Sequence, residues 1–359
     1  MKQSFKLLAA VSLIGLSAAL PLTADTTGAM QFPQMEMEQR SISAPPGVSV
    51  EMLDILSTRT VPPTLPAPAA DDIDGWLALQ AAFNAPIDEM AVQAAKAKNV
   101  TFEVTEIAGV RSYVVTPETL NPRWADRVFV HVHGGAWVFG GGDSALREAI
   151  WMAEGLGVKV ISVDYAKPPL HPFPAATNDG LTVWSEVTED LDPAKVALFG
   201  TSAGGNIALS MALQLKDQGL PLPGAIFAGT PATDLANVSD TWETLRGLDP
   251  LGNRDPDGIV GAAFGQYIGD ADPSLAYLSP VNGALEGFPP TVLISGTRDL
   301  LLSDTVRMHR ALRAAGVEAD LHIYDGQSHG DYLQSLVHPL PEADDAQREI
   351  YNFFDQHLE

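Results

Sequence analysis

Lys195-Val196-Ala197-Leu198-Phe199-Gly200-Thr201-Ser202-Ala203-Gly204-Gly205 is the stretch that decides the architecture of this 359-residue chain. Residues 195–199 read as a buried strand, and 203–217 read as a helix. The Gly-x-Ser-x-Gly turn between them is so tight that Ser202 is forced into a strained, exposed position at the strand's C-terminal end. Gly200 and Gly204 are required because a Cβ at either place would meet neighbouring chain. The helix N-terminus beneath Ser202 offers amide donors and the positive end of a dipole, suited to a developing oxyanion. The bland alternative is a glycine-rich helix start without chemistry, and the strand before and helix after argue against it.

Outward from this turn, short apolar runs recur at 127–133, 158–163, 223–228, 290–295 and 319–324, and helical stretches at 144–156, 174–188, 303–315 and about 342–356. Residues 100–106 and 111–115 alternate like the strands of a hairpin. Short β-branched runs alternating with helices predict an α/β fold, a mostly parallel sheet covered on both faces. The alternation breaks between 229 and 289, where Trp242, Leu245 and the helical spacing of 258–268 predict a cap insertion at about 232–280. Asp71 to Lys98 reads helical, with an interruption expected at Asn84-Ala85-Pro86. Asp25 to Ala70 carries prolines at 33, 45, 46, 62, 63, 66 and 68 and reads as an extended arm. The expected organisation is therefore an arm with cap helices over 25–99 and a main domain over 100–359.

Acyl transfer to a serine needs N–H groups aimed at the carbonyl oxygen as it becomes negative. Ala203, next to Ser202, offers one. The run His133-Gly134-Gly135-Ala136-Trp137, just past strand 127–133, offers those of Gly135 and Ala136. A generic glycine loop is its bland alternative. His131 and His133 could be imagined as a metal pair, but no third ligand cluster accompanies them, so no metal is assigned. Gly140-Gly141-Gly142, the helix after it, strand 158–163 and Asp164 imitate a dinucleotide-binding unit. The glycines do not open the helix in a tight turn as that fingerprint demands, and no cofactor is assigned.

A nucleophilic serine also needs a base and an orienting carboxylate, and in this sheet architecture they follow it as acid, then histidine, on loops after later strands. Asp299 sits in the loop after strand 290–295. Asp304 is better explained by helix N-terminal placement beside a possible cap at Ser303. His329, in the polar loop after strand 319–324, is where the base belongs. Its rivals lie in helices (His309, His357), in strands or the glycine loop (His322, His131, His133), or before prolines and away from the last strand (His171, His338). A solvated loop histidine is the bland alternative for His329.

The His133–Trp137 run, Asp164-Tyr165 with His171-Pro-Phe-Pro-Ala-Ala176, Gly200-Thr-Ser-Ala-Gly-Gly-Asn206, and Asp299 and His329 at this spacing resemble the hormone-sensitive-lipase-type branch of the α/β-hydrolases. The likeness runs from about residue 100 to the end. It implies the α/β-hydrolase fold, with an eight-stranded sheet and a helical cap built from the N-terminal segment and a late insertion. It also implies a serine carboxylic-ester hydrolase with Ser202, Asp299 and His329 as triad, and no cofactor. Thr201 replaces the aspartate more often found before the nucleophile, as in the Gly-Thr-Ser-Ala-Gly subgroup. Ala136 replaces the third glycine of His-Gly-Gly-Gly, whose extra methyl narrows acceptance of bulky tertiary esters. The Asp-Tyr-Ala-Lys-Pro-Pro stretch is similar to a subgroup that includes lactone hydrolases, and aryl-formamidases also carry a His-Gly-Gly-x-Trp loop. A non-catalytic binding protein on this fold usually lacks the base or the nucleophile, and here all three residues are present.

Composition agrees with a small-molecule substrate. Acidic residues number 45 against 21 Lys and Arg, a formal charge of −24, which repels nucleic-acid phosphates and anionic membrane surfaces. The absence of cysteine removes disulfides, thiolate nucleophiles and Cys-based metal sites together. Lys2 and Lys6 precede fourteen uncharged residues, Leu7 to Leu20, with small residues at 17–19 and Thr23-Ala24. This reads as a cleaved signal peptide over 1–24, too short for a stable membrane span, and predicts a periplasmic or secreted protein. The cap segments carry no readable code for the acyl or alcohol group, and the pattern leaves oligomeric state open, a homodimer included.

Overall fold

The computed structural model describes residues 41–358, so the signal-peptide expectation lies outside the described residues, as does the first part of the arm, 25–40. Eight strands, β1 (Val100–Ile107), β2 (Val110–Pro117), β3 (Val128–Val132), β4 (Lys159–Val163), β5 (Ala197–Thr201), β6 (Ala225–Gly229), β7 (Thr291–Gly296) and β8 (Ala319–Tyr324), form one sheet. Their order is β1-β2-β4-β3-β5-β6-β7-β8. β2 is antiparallel to both neighbours and the remaining pairings are parallel. The helices are α1 (Val50–Thr58), α2 (Ile73–Ala97), α3 (Leu146–Leu156), α4 (Ala175–Val187), α5 (Ala203–Asp217), α6 (Asp240–Thr244), α7 (Ile259–Ile268), α8 (Leu302–Ala314) and α9 (Pro341–His357).

Side-chain alternation divides the core between the two faces of the sheet. Phe129, Phe199, Phe227 and Ile294 pack with Trp151 of α3 and Phe354 of α9. Val130, Val132 and Leu198 point the other way, onto Trp184 of α4 and Ile207 and Met211 of α5. Ile226, Ala228 and Leu293 continue that second face onto Met308 and Leu312 of α8. Each large apolar side chain so buried stabilises the fold by about 1.5–3 kcal/mol, which is why the central strands read as continuous apolar runs. Parallel strands put their C-terminal ends along one edge, and the loops that leave that edge carry Ser202, Asp299 and His329.

Four details depart from the sequence expectations. The proline-punctuated arm contains α1, where Met52 and Leu56 are buried one turn apart and Ser49 Oγ accepts from Met52 N at 3.0 Å. α2 is continuous through Pro86. The missing proline N–H leaves the Ala82 carbonyl without its helical donor, but side-chain bonds clamp this segment from outside. Asn84 Oδ1 accepts from Gly140 N at 2.9 Å, and Asp88 Oδ1 accepts from Ser144 N and Oγ, both at 2.6 Å. β5 runs to Thr201, two residues further than expected, because Thr201 still pairs in register with Gly229. Ser303 lies inside α8 rather than capping it, and Asp304 is fully buried.

The long segment between β6 and β7, which interrupts the strand–helix alternation, contributes α6 and α7. Trp76 of α2 packs with Val138, Phe139 and Ala263, joining the N-terminal helix to the glycine loop and to α7.

Candidate active site

Ser202 follows β5 directly and has φ 63° and ψ −121°, a conformation that costs a non-glycine residue about 1–3 kcal/mol. The surrounding backbone enforces it. Ser202 N donates to Gly229 O at 2.8 Å, and Ser202 O accepts from Asn206 N at 3.0 Å. A Cβ on Gly200 or Gly204 would lie 2.4 or 2.1 Å from Val132 O, so neither position tolerates alanine. Gly134 is as constrained, at 2.7 Å from Thr201 O.

A buried polar network braces the turn from behind. Glu148 of α3 accepts from Thr201 N at 2.9 Å and from Thr201 Oγ1, and its other contact is His131 Nε2 at 3.1 Å. His131 Nδ1 meets Ser162 Oγ at 2.8 Å, and Thr201 Oγ1 meets the Tyr332 hydroxyl. Thr201 thus has a positioning partner on each side, whereas an aspartate there would set a second carboxylate against Glu148.

The His133–Trp137 loop doubles back sharply, with Gly135, Ala136 and Trp137 all at positive φ (113°, 50° and 61°). A Cβ on Gly135 would sit 2.4 Å from Phe139 O. His133 stacks on Tyr165 with ring centroids 4.0 Å apart, and the Tyr165 hydroxyl donates to His133 O at 2.7 Å. His133 Nδ1 donates to Gly134 O at 2.7 Å, and burial followed by the Lys167 charge holds its pKa well below the ordinary range, so the ring is neutral. Trp137 Nε1 donates to Asn206 Oδ1 at 3.2 Å, tying the loop to the first turn of α5. The N–H groups of Gly135, Ala136 and Ala203 donate to no described residue.

His329 Nδ1 lies 3.2 Å from Asp299 Oδ1 and 2.8 Å from Thr230 Oγ1. A proton on Nδ1 satisfies both oxygens and leaves the Nε2 lone pair to accept a proton. Asp299 is fully buried, takes Ser295 Oγ at 2.6 Å on Oδ2, and takes Leu301 N at 2.9 Å on Oδ1. Burial pushes its pKa up, but the hydrogen bonds and charge of His329, with those of Ser295 and Thr230, bring it below the ordinary value. Burial pushes the His329 pKa down, and the Asp299 hydrogen bond and charge outweigh it, leaving it raised.

A second buried carboxylate stands beside this pair. Asp249, from the segment between β6 and β7, accepts from His329 N at 2.9 Å and Leu300 N at 3.1 Å. Burial, then the nearby Asp299 charge, raises its pKa to about 6. Asp304 plays no part in the cluster. It accepts from Thr233 N at 3.0 Å and Asp234 N at 3.3 Å, and burial raises its pKa to about 6.

Ser202, His329, Gly134, Gly135 and Ala136 line one cavity of about 710 Å³. Its walls are mainly apolar, from Leu79 and Phe83 of α2, Trp242, Leu251 and Phe264 of the insertion, and Leu333. The structure therefore gathers the sequence-derived candidates in one place, and His133, Gly134, Gly200 and Gly204 shape the turns around them. Glu148, Thr230 and Asp249 are the polar members that the sequence reading passed over. An acid at the head of the apolar helical run 149–153 is a signal for Glu148; nothing local marks Thr230 or Asp249. Among the described residues no group of three or more His, Cys, Asp or Glu is arranged to hold a metal, and no helix is long and apolar enough to cross a membrane.

Comparison with known proteins agrees with this geometry. The sequence pattern of the α/β hydrolase fold family matches residues 129–333. The chain is 33% identical over 222 residues to the carboxylesterase NlhH of Mycobacterium tuberculosis, covering 59% of this chain and 68% of that protein. The crystal structure of esterase E25 superposes with a TM-score of 0.86 at 38% identity, covering 91% of this chain and 99% of the other. An esterase from the bacterial hormone-sensitive lipase family superposes with a TM-score of 0.67 at 25% identity, covering 86% of this chain and 96% of the other. With the serine turn, the glycine loop and the eight-stranded sheet in place, the chain belongs to the α/β-hydrolases, on their hormone-sensitive-lipase-type esterase branch.

Proposed function

We propose that this carboxylesterase-type hydrolase works through an acyl-enzyme on Ser202 and takes short-to-medium acyl esters. The observation that carries the reading is the convergence on one cavity of a strained, accessible Ser202, the His329–Asp299 pair, and a loop in which the N–H groups of Gly135 and Ala136 donate to no described residue. His329 Nε2 takes the Ser202 proton as Oγ attacks the ester carbonyl, and the oxyanion is received by the N–H groups of Gly135, Ala136 and Ala203. Asp299 keeps the Nδ1 tautomer and stabilises the imidazolium. The imidazolium then protonates the leaving alcohol, and water, deprotonated by the same His329, attacks the acyl-enzyme and releases the acid. A mainly apolar cavity of about 710 Å³ suits an aliphatic chain better than a polar one.

A phosphonate or sulfonyl fluoride probe tests the chemistry, because Ser202 shares an accessible cavity with the base His329, whereas Ser162, beside His131, is fully buried. Peptide mass spectrometry is expected to place the adduct on Ser202 alone; an adduct on another serine refutes the assignment. A parallel panel of nitrophenyl esters, lactones and N-formylkynurenine reads substrate class. Highest kcat/KM on C2–C8 esters supports the proposal, and preference for the lactone or the formamide overturns its substrate part.

A further inference from the structure

Arg147, the second residue of α3, lines the Ser202 cavity. Its guanidinium makes no hydrogen bond or ion pair with any described residue, and its Nε is sealed from solvent with no acceptor. Buried charges are ordinarily paired, since an isolated ion loses hydration that nothing returns. Burial is the dominant influence on this group too, and pushes its pKa down.

The carboxylates that line the same cavity are already committed elsewhere. Both oxygens of Glu148 are taken by Thr201 and His131. Asp331 is paired with Arg59 and accepts from Ser328 N at 2.6 Å. Among the described lining residues Arg147 is therefore the one Lys or Arg; the Glu148 charge acts on it favourably but is outweighed by burial, and neither Glu148 oxygen is hydrogen-bonded to it. Gln334 lines the cavity as well, and its side-chain amide bonds to no described residue. The first turn of α3 adds its positive dipole end, with no side-chain cap at Ala145.

We propose that Arg147 is an anion subsite and that the preferred substrate is an ester bearing a carboxylate, of which the half-ester of a dicarboxylic acid is the simplest form. The proposal rests on the ester-hydrolase reading of Ser202. A carboxylate matches the guanidinium fork with two parallel hydrogen bonds, which a neutral acyl chain cannot make. The apolar walls then take the methylene chain between the two ends.

The test compares kcat/KM on charged and neutral esters of equal length for the wild type, R147M and R147K, with melting curves for all three. One arm puts the charge on the acyl group (mono-4-nitrophenyl glutarate against 4-nitrophenyl pentanoate). The other puts it on the alcohol (3-butanoyloxypropanoate against propyl butyrate). In at least one arm the charged-to-neutral ratio is expected to fall about 10- to 100-fold in R147M, the scale of a hydrogen bond to a charged group. R147K is expected to retain part of it. Ratios unchanged in both arms overturn the subsite, and so does an equal fall on charged and neutral esters without loss of preference. Wild-type protein inactive on all four esters refutes the hydrolase reading instead, so the two failures are distinguishable.

Discussion

Asp299→Asn is the substitution that most directly probes the site. Asp299 is fully buried, and its two oxygens serve His329 Nδ1, Leu301 N and Ser295 Oγ. An asparagine keeps one acceptor for His329 and Leu301, and its amide can donate to Ser295 Oγ, a hydroxyl able to turn and accept. Packing and backbone should survive. What disappears is the negative charge facing an imidazolium in the transition state, together with the preference for the Nδ1 tautomer. The equivalent change in a well-studied triad lowers kcat about 10⁴-fold, or roughly 5 kcal/mol at 1.36 kcal/mol per decade. Here Thr230 Oγ1 still accepts from Nδ1 at 2.8 Å and the Asp249 carboxylate still lies close by. A fall of about 10³- to 10⁴-fold is therefore expected. Asp304→Asn is the matched control, an equally buried aspartate five residues on. Its pKa is raised to about 6, above the ordinary 3.8, so its charged form is disfavoured by roughly 3 kcal/mol at neutral pH. Losing that charge offsets weaker bonds to Thr233 N and Asp234 N, for a net change within about 1 kcal/mol and with kcat retained. The assay is kcat on one short-chain nitrophenyl ester, corrected by active-site titration, with thermal melts alongside. An Asp299→Asn enzyme within tenfold of wild type, or a dead Asp304→Asn enzyme beside it, refutes the reasoning.

The raised pKa of His329 sets the acid limb of the rate profile. Only the neutral ring accepts the Ser202 proton, so kcat/KM is expected to fall with an apparent pKa above 6.5 as pH drops, and Asp299→Asn to move that limb lower; a pH-independent rate between 5 and 8 contradicts this. The raised pKa of Asp304 acts on stability with the opposite sense. The folded state binds that proton more tightly, so its contribution is present below pH 4 and lost as pH rises through about 6, and melts of Asp304→Asn against wild type should show the loss only in the latter. Glu148→Gln replaces a carboxylate that accepts from Thr201 N and Oγ1, and about 1–3 kcal/mol of stability should go with it. Denaturant melts check this, and an unchanged midpoint would deny Glu148 its bracing part. Secretion is read by N-terminal sequencing of protein from periplasm or medium, which is expected to begin near Asp25, or near Leu20 for the earlier site; an intact Met1 there contradicts cleavage.

Local chain geometry made much of this protein legible from sequence. Gly200, Gly204 and Gly135 had to be glycine because neighbouring carbonyls stand where a Cβ would go, and such turns leave short, dense patterns. The strands 100–107, 159–163 and 319–324 and the helix 203–217 followed from periodicity within a residue or so, since each buries the face its own spacing defines. Where the expectation failed, distant contacts outweighed local preference, as in the helix that continues through Pro86 because Asn84 and Asp88 are held by residues 140–144. The supporting polar groups belong wholly to the tertiary structure. Asp249 reaches His329 across 80 positions of chain, Thr230 across 99, and Glu148 reaches Thr201 across 53. The Arg147 guanidinium likewise lacks a hydrogen-bonded acceptor only because folding seals its Nε and engages the oxygens of Glu148 and Asp331 with other groups. A turn is specified by the residues that make it, but the burial and pairing of a charge depend on segments that meet only when the chain has folded.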